Sequence, residues 1–397
     1  MRIVVTGGFG FLGREVARAL LGTRTFRGAP IDSLVLVDRT VPTGQPPVTA
    51  PSPSAPPVSD PLVSDPYVSD PYVSDPYVSD PYVSDPYVSD PLVSDPLVEI
   101  VHGDLSSRLD AVFARPVDAV FHLAAAVSAE CEADFDLGMD ANVDTTRALL
   151  DAARAQSAAG GPTPCLLFSS SVAVYGPDPA LPLPPVVSEA TLPTPRSSYG
   201  VQKLVCEQLI ADYTRRGFVD GHVARLMTVV VRPGRPNAAA SGFLSGIIRE
   251  PLAGRAAVCP VRPDLTVALA SPGRTVEALL RIARAERGAG RGRLAGALPV
   301  NLPALTVSVA EMLATLRKEA GDAVADLVTI RPDPAVEAIV GSWPSAFDPT
   351  RAAALGLAPD PDFASVLRAY VADHPDAVLP APARAKGQPD PGPPAGR

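Results

Sequence analysis

Short apolar runs that end in glycine or polar residues alternate with helix-period segments over the first 230 positions. Ile3-Val4-Val5 reads as a buried strand, followed by the turn Thr6-Gly7-Gly8-Phe9-Gly10-Phe11-Leu12-Gly13 and a helix over residues 14–21 with Val16, Ala19 and Leu20 on one face. Residues 33–38 predict a second strand, and residues 98–105 a third that ends in an acid. A fourth, residues 119–123, runs into Ala124-Ala125-Ala126-Val127-Ser128, and residues 136–155 read as a long helix. The fifth strand, residues 164–168, leads into Ser169-Ser170-Ser171. A proline-rich loop (177–195), a helix from Ser198 to about Arg216 and a strand over 224–231 ending in Arg232-Pro233-Gly234 complete the series. Such βαβ alternation predicts an α/β fold, a doubly wound parallel sheet covered on both faces.

From Arg235 the alternation breaks into shorter pieces: helices near 243–250, 273–287 and 309–320, and a strand at 299–302. They predict a smaller C-terminal substrate lobe, residues 235–375, closing over the first domain. Residues 376–397, rich in Pro, Ala and Gly, predict a disordered tail.

The first glycine turn follows a strand and opens a helix, which is the context of a dinucleotide site of Rossmann type. Gly7 and Gly10 allow a tight turn and close approach of a pyrophosphate to the helix N-terminus, where Phe11 and Leu12 sit; Gly13 allows helix and strand to pack closely. Glycines at such a turn can also be purely structural. Asp38, at the end of the second strand, is placed to accept hydrogen bonds from ribose hydroxyls and to repel a 2′-phosphate, which favours NAD. Arg39 beside it leaves a reading as an NADP site open. Asp104 and Leu105 follow the third strand, where a side chain reaches the adenine edge. Leu123, Ala124 and Ala125 let a dinucleotide lie against the backbone, and Ser128 beyond them is a substrate candidate near the nicotinamide. Residues 1–234 are thus expected to be the NAD-binding domain.

Tyr199 and Lys203 lie one helical turn apart on one face. A phenol holds its proton to about pH 10, and a neighbouring cation favours the phenolate, which makes a base for an alcohol proton. The spacing alone is common, so the motif gains meaning only from the platform that precedes it.

Bulk composition changes little of this. The net charge of -9 is concentrated in residues 41–98, which hold eight aspartates and no basic residue. The near-neutral remainder suggests neither nucleic acid nor a membrane surface as partner. Residues 58–97 are eight tandem copies of Val-Ser-Asp-Pro-Tyr or Val-Ser-Asp-Pro-Leu, set behind a Pro/Ser/Ala-rich stretch. Proline at every fifth residue forbids helix and interrupts a ladder. Residues 41–97 are therefore expected to be a disordered insert between the second and third strands, amplified in place and without a catalytic role; a pentapeptide solenoid is the rival reading. Cys131, Cys165, Cys206 and Cys259 are widely spaced, with no metal-ligand or disulfide pattern, and predict buried free thiols and no metal. The N-terminus lacks the apolar core of a signal peptide and no run is long enough to span a membrane, so a cytoplasmic protein is expected.

The set TGGFGFLG, Asp38, HLAAAVS, SSSVAVYG, Tyr199-xxx-Lys203 and Arg232-Pro233-Gly234, in that order, resembles the extended short-chain dehydrogenase/reductase superfamily, which includes NAD-dependent nucleotide-sugar epimerases and dehydratases. Glu132–Met139, Arg216–Gly221, Val229–Ser241 and Gly246–Leu252 resemble more closely its D-erythronate dehydrogenase subgroup, which oxidises a four-carbon sugar acid at C2 to the 2-keto acid with NAD. The resemblance implies Tyr199 as general base and Lys203 as the cation that lowers its pKa and holds the cofactor ribose. It implies Ser171, four residues before Tyr175, as the serine on the substrate hydroxyl, and Asn142 as a helix residue lining a water relay. It also implies a homodimer through the helices at 136–155 and 198–216. A sugar-acid carboxylate calls for an arginine, and Arg232, Arg249 and Arg274 are the candidates. Two other readings stay open: a nucleotide-sugar epimerase or dehydratase, and a non-catalytic cofactor-sensing protein on the same fold.

Overall fold

In the computed structural model, which describes residues 1–41, 91–234 and 241–379, seven strands form one parallel sheet. They are β1 (Arg2–Thr6), β2 (Ser33–Asp38), β3 (Val98–His102), β4 (Ala119–His122), β5 (Cys165–Ser171), β6 (Asp220–Leu226) and β7 (Val300–Asn301), in the spatial order β7-β6-β5-β4-β1-β2-β3. The order reverses at β1, where Ile3 lies between Leu34 of β2 and Ala119 of β4. Crossovers on either side of that point leave on opposite faces, so a crevice opens at the C-terminal ends of the strands.

The larger helices are α1 (Phe11–Thr23), α2 (Leu105–Val112), α3 (Thr145–Ala158), α4 (Ser198–Arg215), α5 (Gly242–Leu252), α6 (Pro272–Arg284), α7 (Val309–Ala320) and α8 (Phe363–Asp373). Alternation along β1 sorts them. Val4 joins Leu149, Leu150 and Ile210 of α3 and α4 in one core. Ile3 and Val5 join Val16, Leu20, Val276 and Leu279 of α1 and α6 in another. A third cluster packs α5, α7 and α8 on a small sheet of Thr228–Val229, Thr266–Ala270 and Leu305–Ser308.

Several expected boundaries move. The strand expected over 224–231 is two strands: β6 stops at Leu226, and Thr228–Val229 pairs with Thr266–Ala270. The chain thus passes from the large sheet to the small one at Met227. The cut expected at 234 is not a clean one either, because α6, β7, Ala352 and Leu355 all return to the first core. A parallel sheet needs both faces covered, and α6 covers the part of the α1 face that α1 leaves open. The helix expected at 136–155 is a short helix (Phe135–Gly138), a π-helical segment (Met139–Asp144) and then α3.

The last repeat copy and the Pro91-Leu92 end of the copy before it are folded, contrary to the expectation for 41–97. Pro91–Ser94 forms a helical turn, Leu92 is buried, and both Asp95 carboxylate oxygens accept from Arg24 at 3.0 and 2.6 Å. The Leu34 amide donates to Leu97 O at 2.7 Å, which fixes the entry to β3. At the other end, Leu379 N donates to Leu252 O at 2.9 Å, so the expected tail begins ordered. The expectations for residues 42–90 and 380–397 fall outside the described residues. Among the described residues no helix is long and apolar enough to cross a membrane.

Candidate active site

A cleft of about 1460 Å³ runs along the C-terminal ends of the strands and continues beneath the second lobe. At one end lies the glycine turn. Gly7 has φ +66°, and a Cβ there would stand 3.0 Å from Ala124 N. A Cβ on Gly13 would overlap the Gly7 carbonyl, so only glycine lets α1 start this close to β1. Gly10 N donates to Gly7 O at 3.0 Å, and the first amides of α1 are left facing the cleft with Phe11 and Leu12. The turn is a cradle that side chains would fill, and its donors suit a pyrophosphate.

Asp38 is fixed in that cradle. Its Oδ2 accepts from Phe9 N at 2.9 Å and its Oδ1 from Thr40 N at 3.0 Å. Each oxygen keeps a lone pair for a hydroxyl. Arg39 also lines the cleft and lies near Asp104, Nε to Oδ1 3.6 Å. Asp104 and Leu105 line the cleft, as do Leu123, Ala124, Ala125 and Ser128.

Beneath the turn, Thr6 Oγ1 accepts from Leu123 N and Ala124 N at 3.1 and 3.2 Å. Its hydroxyl proton is left for His122 Nδ1 at 2.8 Å, and His122 Nε2 then donates to Thr146 Oγ1 at 3.0 Å. Burial, followed by the Lys203 charge, pulls His122 down to about 3, so this imidazole is neutral.

The three serines at the end of β5 separate by their partners. Ser169 Oγ donates to His122 O at 3.1 Å, and Ser170 Oγ donates to Glu207 Oε1 at 2.5 Å. Ser171 Oγ accepts from Ala173 N at 3.1 Å and is hydrogen-bonded to Tyr199. Of the three, Ser171 is the one that meets the phenol.

Tyr199 and Lys203 reach this point because of α4. Ser197 caps the helix by accepting from Gly200 N at 3.1 Å, and Ser198 N donates to Glu132 Oε1 at 2.5 Å. A Cβ on Gly200 would collide with Ala173 O, so a glycine inside the first turn lets α4 press against the turn after β5. Lys203 is buried and donates to Ser169 O at 2.9 Å; its Nζ lies 4.7 Å from the Phe168 ring centre and 5.5 Å from that of Tyr199. Burial pulls Lys203 down to about 8 and pushes Tyr199 up to about 12, against the Ser171 hydrogen bond that lowers it. In the protein by itself, burial thus outweighs what favours the phenolate.

The other end of the cleft holds Arg232, partly buried, whose guanidinium has no carboxylate partner among the described residues. Burial and the nearby Arg249 charge lower its pKa. Arg249 also lines the cleft but is spent, with Nη2 2.7 Å from Glu250 Oε1 and Nη1 donating to Arg232 O at 2.8 Å.

Two expected residues lie elsewhere. Asn142 is buried outside the cleft: its Oδ1 accepts from Ala126 N at 2.9 Å and its Nδ2 donates to Gln202 Oε1 at 2.8 Å, so it braces the loop after β4 against α4. With both ends of its amide engaged, its side chain serves here as a strut. Arg274 points away and pairs with Glu277 at 2.8 Å on the outer face of α6. The four cysteines are free and buried. Cys165 lies near Asp220 and His222, but Arg27 takes Asp220 Oδ2 at 2.8 Å and His222 Nε2 at 2.9 Å. That cluster is an ion-pair site.

Sequence reading missed Gly200, Glu207, Arg225 and Trp343, the last of which lines the cleft from the second lobe. A helix-interior glycine and a charge inside the run Val223-Ala224-Arg225-Leu226 were the available signals.

Comparison with known proteins agrees with this geometry. Residues 3–268 match the model of the NAD dependent epimerase/dehydratase family. The chain is 44% identical to D-erythronate dehydrogenase of Cupriavidus necator over 94% of this chain and 98% of that one. It is 35% identical to D-erythronate dehydrogenase of Haemophilus influenzae, over 94% and 99%. A solved structure described as a nucleoside-diphosphate-sugar epimerase from Agrobacterium tumefaciens superposes with TM-score 0.76 at 31% identity, covering 95% of each chain. With its glycine cradle at the strand-order reversal and a serine, tyrosine and lysine converging farther along the same cleft, the chain belongs to the NAD-dependent epimerase/dehydratase family.

Proposed function

We propose that the protein oxidises a four-carbon sugar acid, D-erythronate, at C2 to the 2-keto acid with NAD. The observation that carries this is the meeting of Ser171, Tyr199 and Lys203 in the cleft whose far end is the glycine turn and Asp38. The relatives named D-erythronate dehydrogenase supply the substrate class.

Bound NAD supplies the hydride acceptor and, in its oxidised ring, a second positive charge beside the phenol. Ser171 orients the C2 hydroxyl, and Tyr199 Oη takes its proton as the C2 hydride leaves. Lys203, aimed by Ser169 O, favours the phenolate and reaches the cofactor ribose. Arg232 takes the substrate carboxylate, since among the described residues its fork has no carboxylate partner where that of Arg249 is spent. Ser128 is a second contact at this end. Asp38 accepts from the adenosine ribose hydroxyls and repels a 2′-phosphate, which favours NAD over NADP, with Asp104 and Leu105 beside the adenine.

Phe135, Leu137, Val201 and Val205 form an exposed apolar patch on the outer side of α4, Phe135 at 61% and Val201 at 46% exposure. A second copy covering it makes a homodimer, and Val201→Glu should then lower the mass seen by light scattering; an unchanged wild-type monomer would remove this. Buried free thiols fit a reducing, cytoplasmic location.

The central test is NADH formation from a panel of C4 and C5 aldonates. D-Erythronate should lead the panel, with net NADH, which an epimerase does not give. Tyr199→Phe should abolish turnover while NAD affinity is kept. Near-normal turnover of that variant would sink the base assignment, and better turnover with NADP than NAD would sink the role of Asp38.

A further inference from the structure

Behind the strand that carries Ser171 lies a polar cluster that the proposed chemistry does not touch. Arg225 of β6 and Glu207 of α4 form a two-pronged ion pair, Nε to Oε1 2.8 Å and Nη2 to Oε2 2.6 Å, with side chains 3% and 2% exposed. Ser170 of β5 donates to the same carboxylate at 2.5 Å. Arg225 Nη1 donates to the Tyr175 phenol oxygen at 2.5 Å, and that phenol donates to Ser188 O at 3.0 Å. One pair of charges therefore ties β5, β6, α4 and the loop after β5 together.

As a device for stability alone the pair is a poor choice, because apolar residues of the same volume replace buried ion pairs at little or no cost. Its position says more. Glu207 lies one turn beyond Lys203 and two beyond Tyr199 on α4, and Ser170 directly precedes Ser171. We infer that Glu207 and Arg225 are positioning residues for proton abstraction, holding the β5 end that bears Ser171 in register with the helix that bears Tyr199 and Lys203. The inference rests on Tyr199 being the base.

The carboxylate also acts through its charge. Lys203 Nζ faces Ser169 O, the Phe168 and Tyr199 rings, His122 of β4, Cys131 of the helix Ser128–Ala133, and Cys206 and Glu207 of α4. His122 is neutral and burial raises both thiols, so Glu207 is the one carboxylate among these groups. Burial lowers Lys203, and Glu207 is among the neighbours that act against it.

Ser170→Ala, which leaves both ions paired, and the volume-conserving double variant Glu207→Leu/Arg225→Met are compared with wild type for melting temperature, NAD affinity, kcat, KM and the pH dependence of kcat/KM. Both should fold and bind NAD within about threefold of wild type yet lose about 10- to 100-fold in kcat, as small misplacements of reacting groups do. The loss should fall on kcat and leave KM within about threefold, a split that a merely structural pair would not cause. A folded double variant with kcat within about twofold of wild type overturns the inference. Tyr199→Phe run alongside separates the two readings. An active Tyr199→Phe enzyme removes the base and this inference with it, whereas an inactive one beside a fully active double variant removes the inference alone.

Discussion

Burial moves Tyr199 and Lys203 in opposite senses, the phenol up to about 12 and the ammonium down from 10.5 to about 8. Each shift disfavours the charged form. The proposed step needs Lys203 charged, and a lowered pKa means that its charge is present below about 8 and lost above it. Because kcat/KM reports groups of the free enzyme, it should fall on the alkaline side with a midpoint near pH 8. Lys203→Arg, whose guanidinium stays charged, should carry any residual activity past that limb. A wild-type profile flat to pH 10 would show that the ammonium is not required. At this scale the sequence was legible where chemistry follows local spacing: Tyr199, Lys203, Gly7, Gly13 and Asp38 stand in one cleft as the order of motifs implied. Asn142 and Arg274 were not legible, because which way a helical side chain points depends on the π-helical segment and on Glu277 one turn along.

Among the elements, α4 decides whether these residues meet. Its first turn packs on the Ala173 carbonyl only because residue 200 has no side chain. Gly200→Ala adds a favourable helix residue, worth up to about 1 kcal/mol in an exposed helix. Here the added methyl has backbone in its way, and overpacking of this kind costs about 1–3 kcal/mol or more. The clash should win. The variant should melt lower than wild type and lose kcat more than NAD affinity, since the glycine cradle is elsewhere. A higher melting temperature with normal kcat would show that α4 shifts freely. The helix itself was expected, from Ser198 to about Arg216, whereas its depth was not readable. That depth is set by contacts between residues 173 and 200, and by Glu207 reaching Arg225 across β5, pairings far apart in sequence. For the same reason the end of β6 was misread: Val223 to Val231 is a run interrupted only by Arg225 and Thr228, and only the partner strand Thr266–Ala270 shows that it serves two sheets.

At the scale of the whole molecule, the two packed regions share chain segments, and the repeat enters beside the cofactor end between β2 and β3. Its copies are chemically alike, but its C-terminal end is distinguished by what surrounds it: Leu92, which closes the seventh copy, is buried at 3% exposure, and in the eighth Asp95 holds Arg24 and Leu97 O holds β2. Two deletions therefore differ sharply. Removing residues 63–87 keeps the anchored copy in frame and only shortens the connection. Loop closure then becomes easier by about 0.6 kcal/mol per halving of length. Extending the deletion to residue 97 also removes Leu92, worth about 1.5–3 kcal/mol of apolar burial, whereas the Arg24–Asp95 pair, with Arg24 half exposed, adds little. The loss of burial exceeds the gain in closure. The shorter deletion should keep melting temperature, NAD affinity and kcat; the longer one should lower the melting temperature and weaken NAD binding, because β2 carries Asp38. Loss of turnover in the shorter deletion would assign the repeat a part in catalysis, and equal melting temperatures for both would mean that the last copy packs without stabilising the sheet.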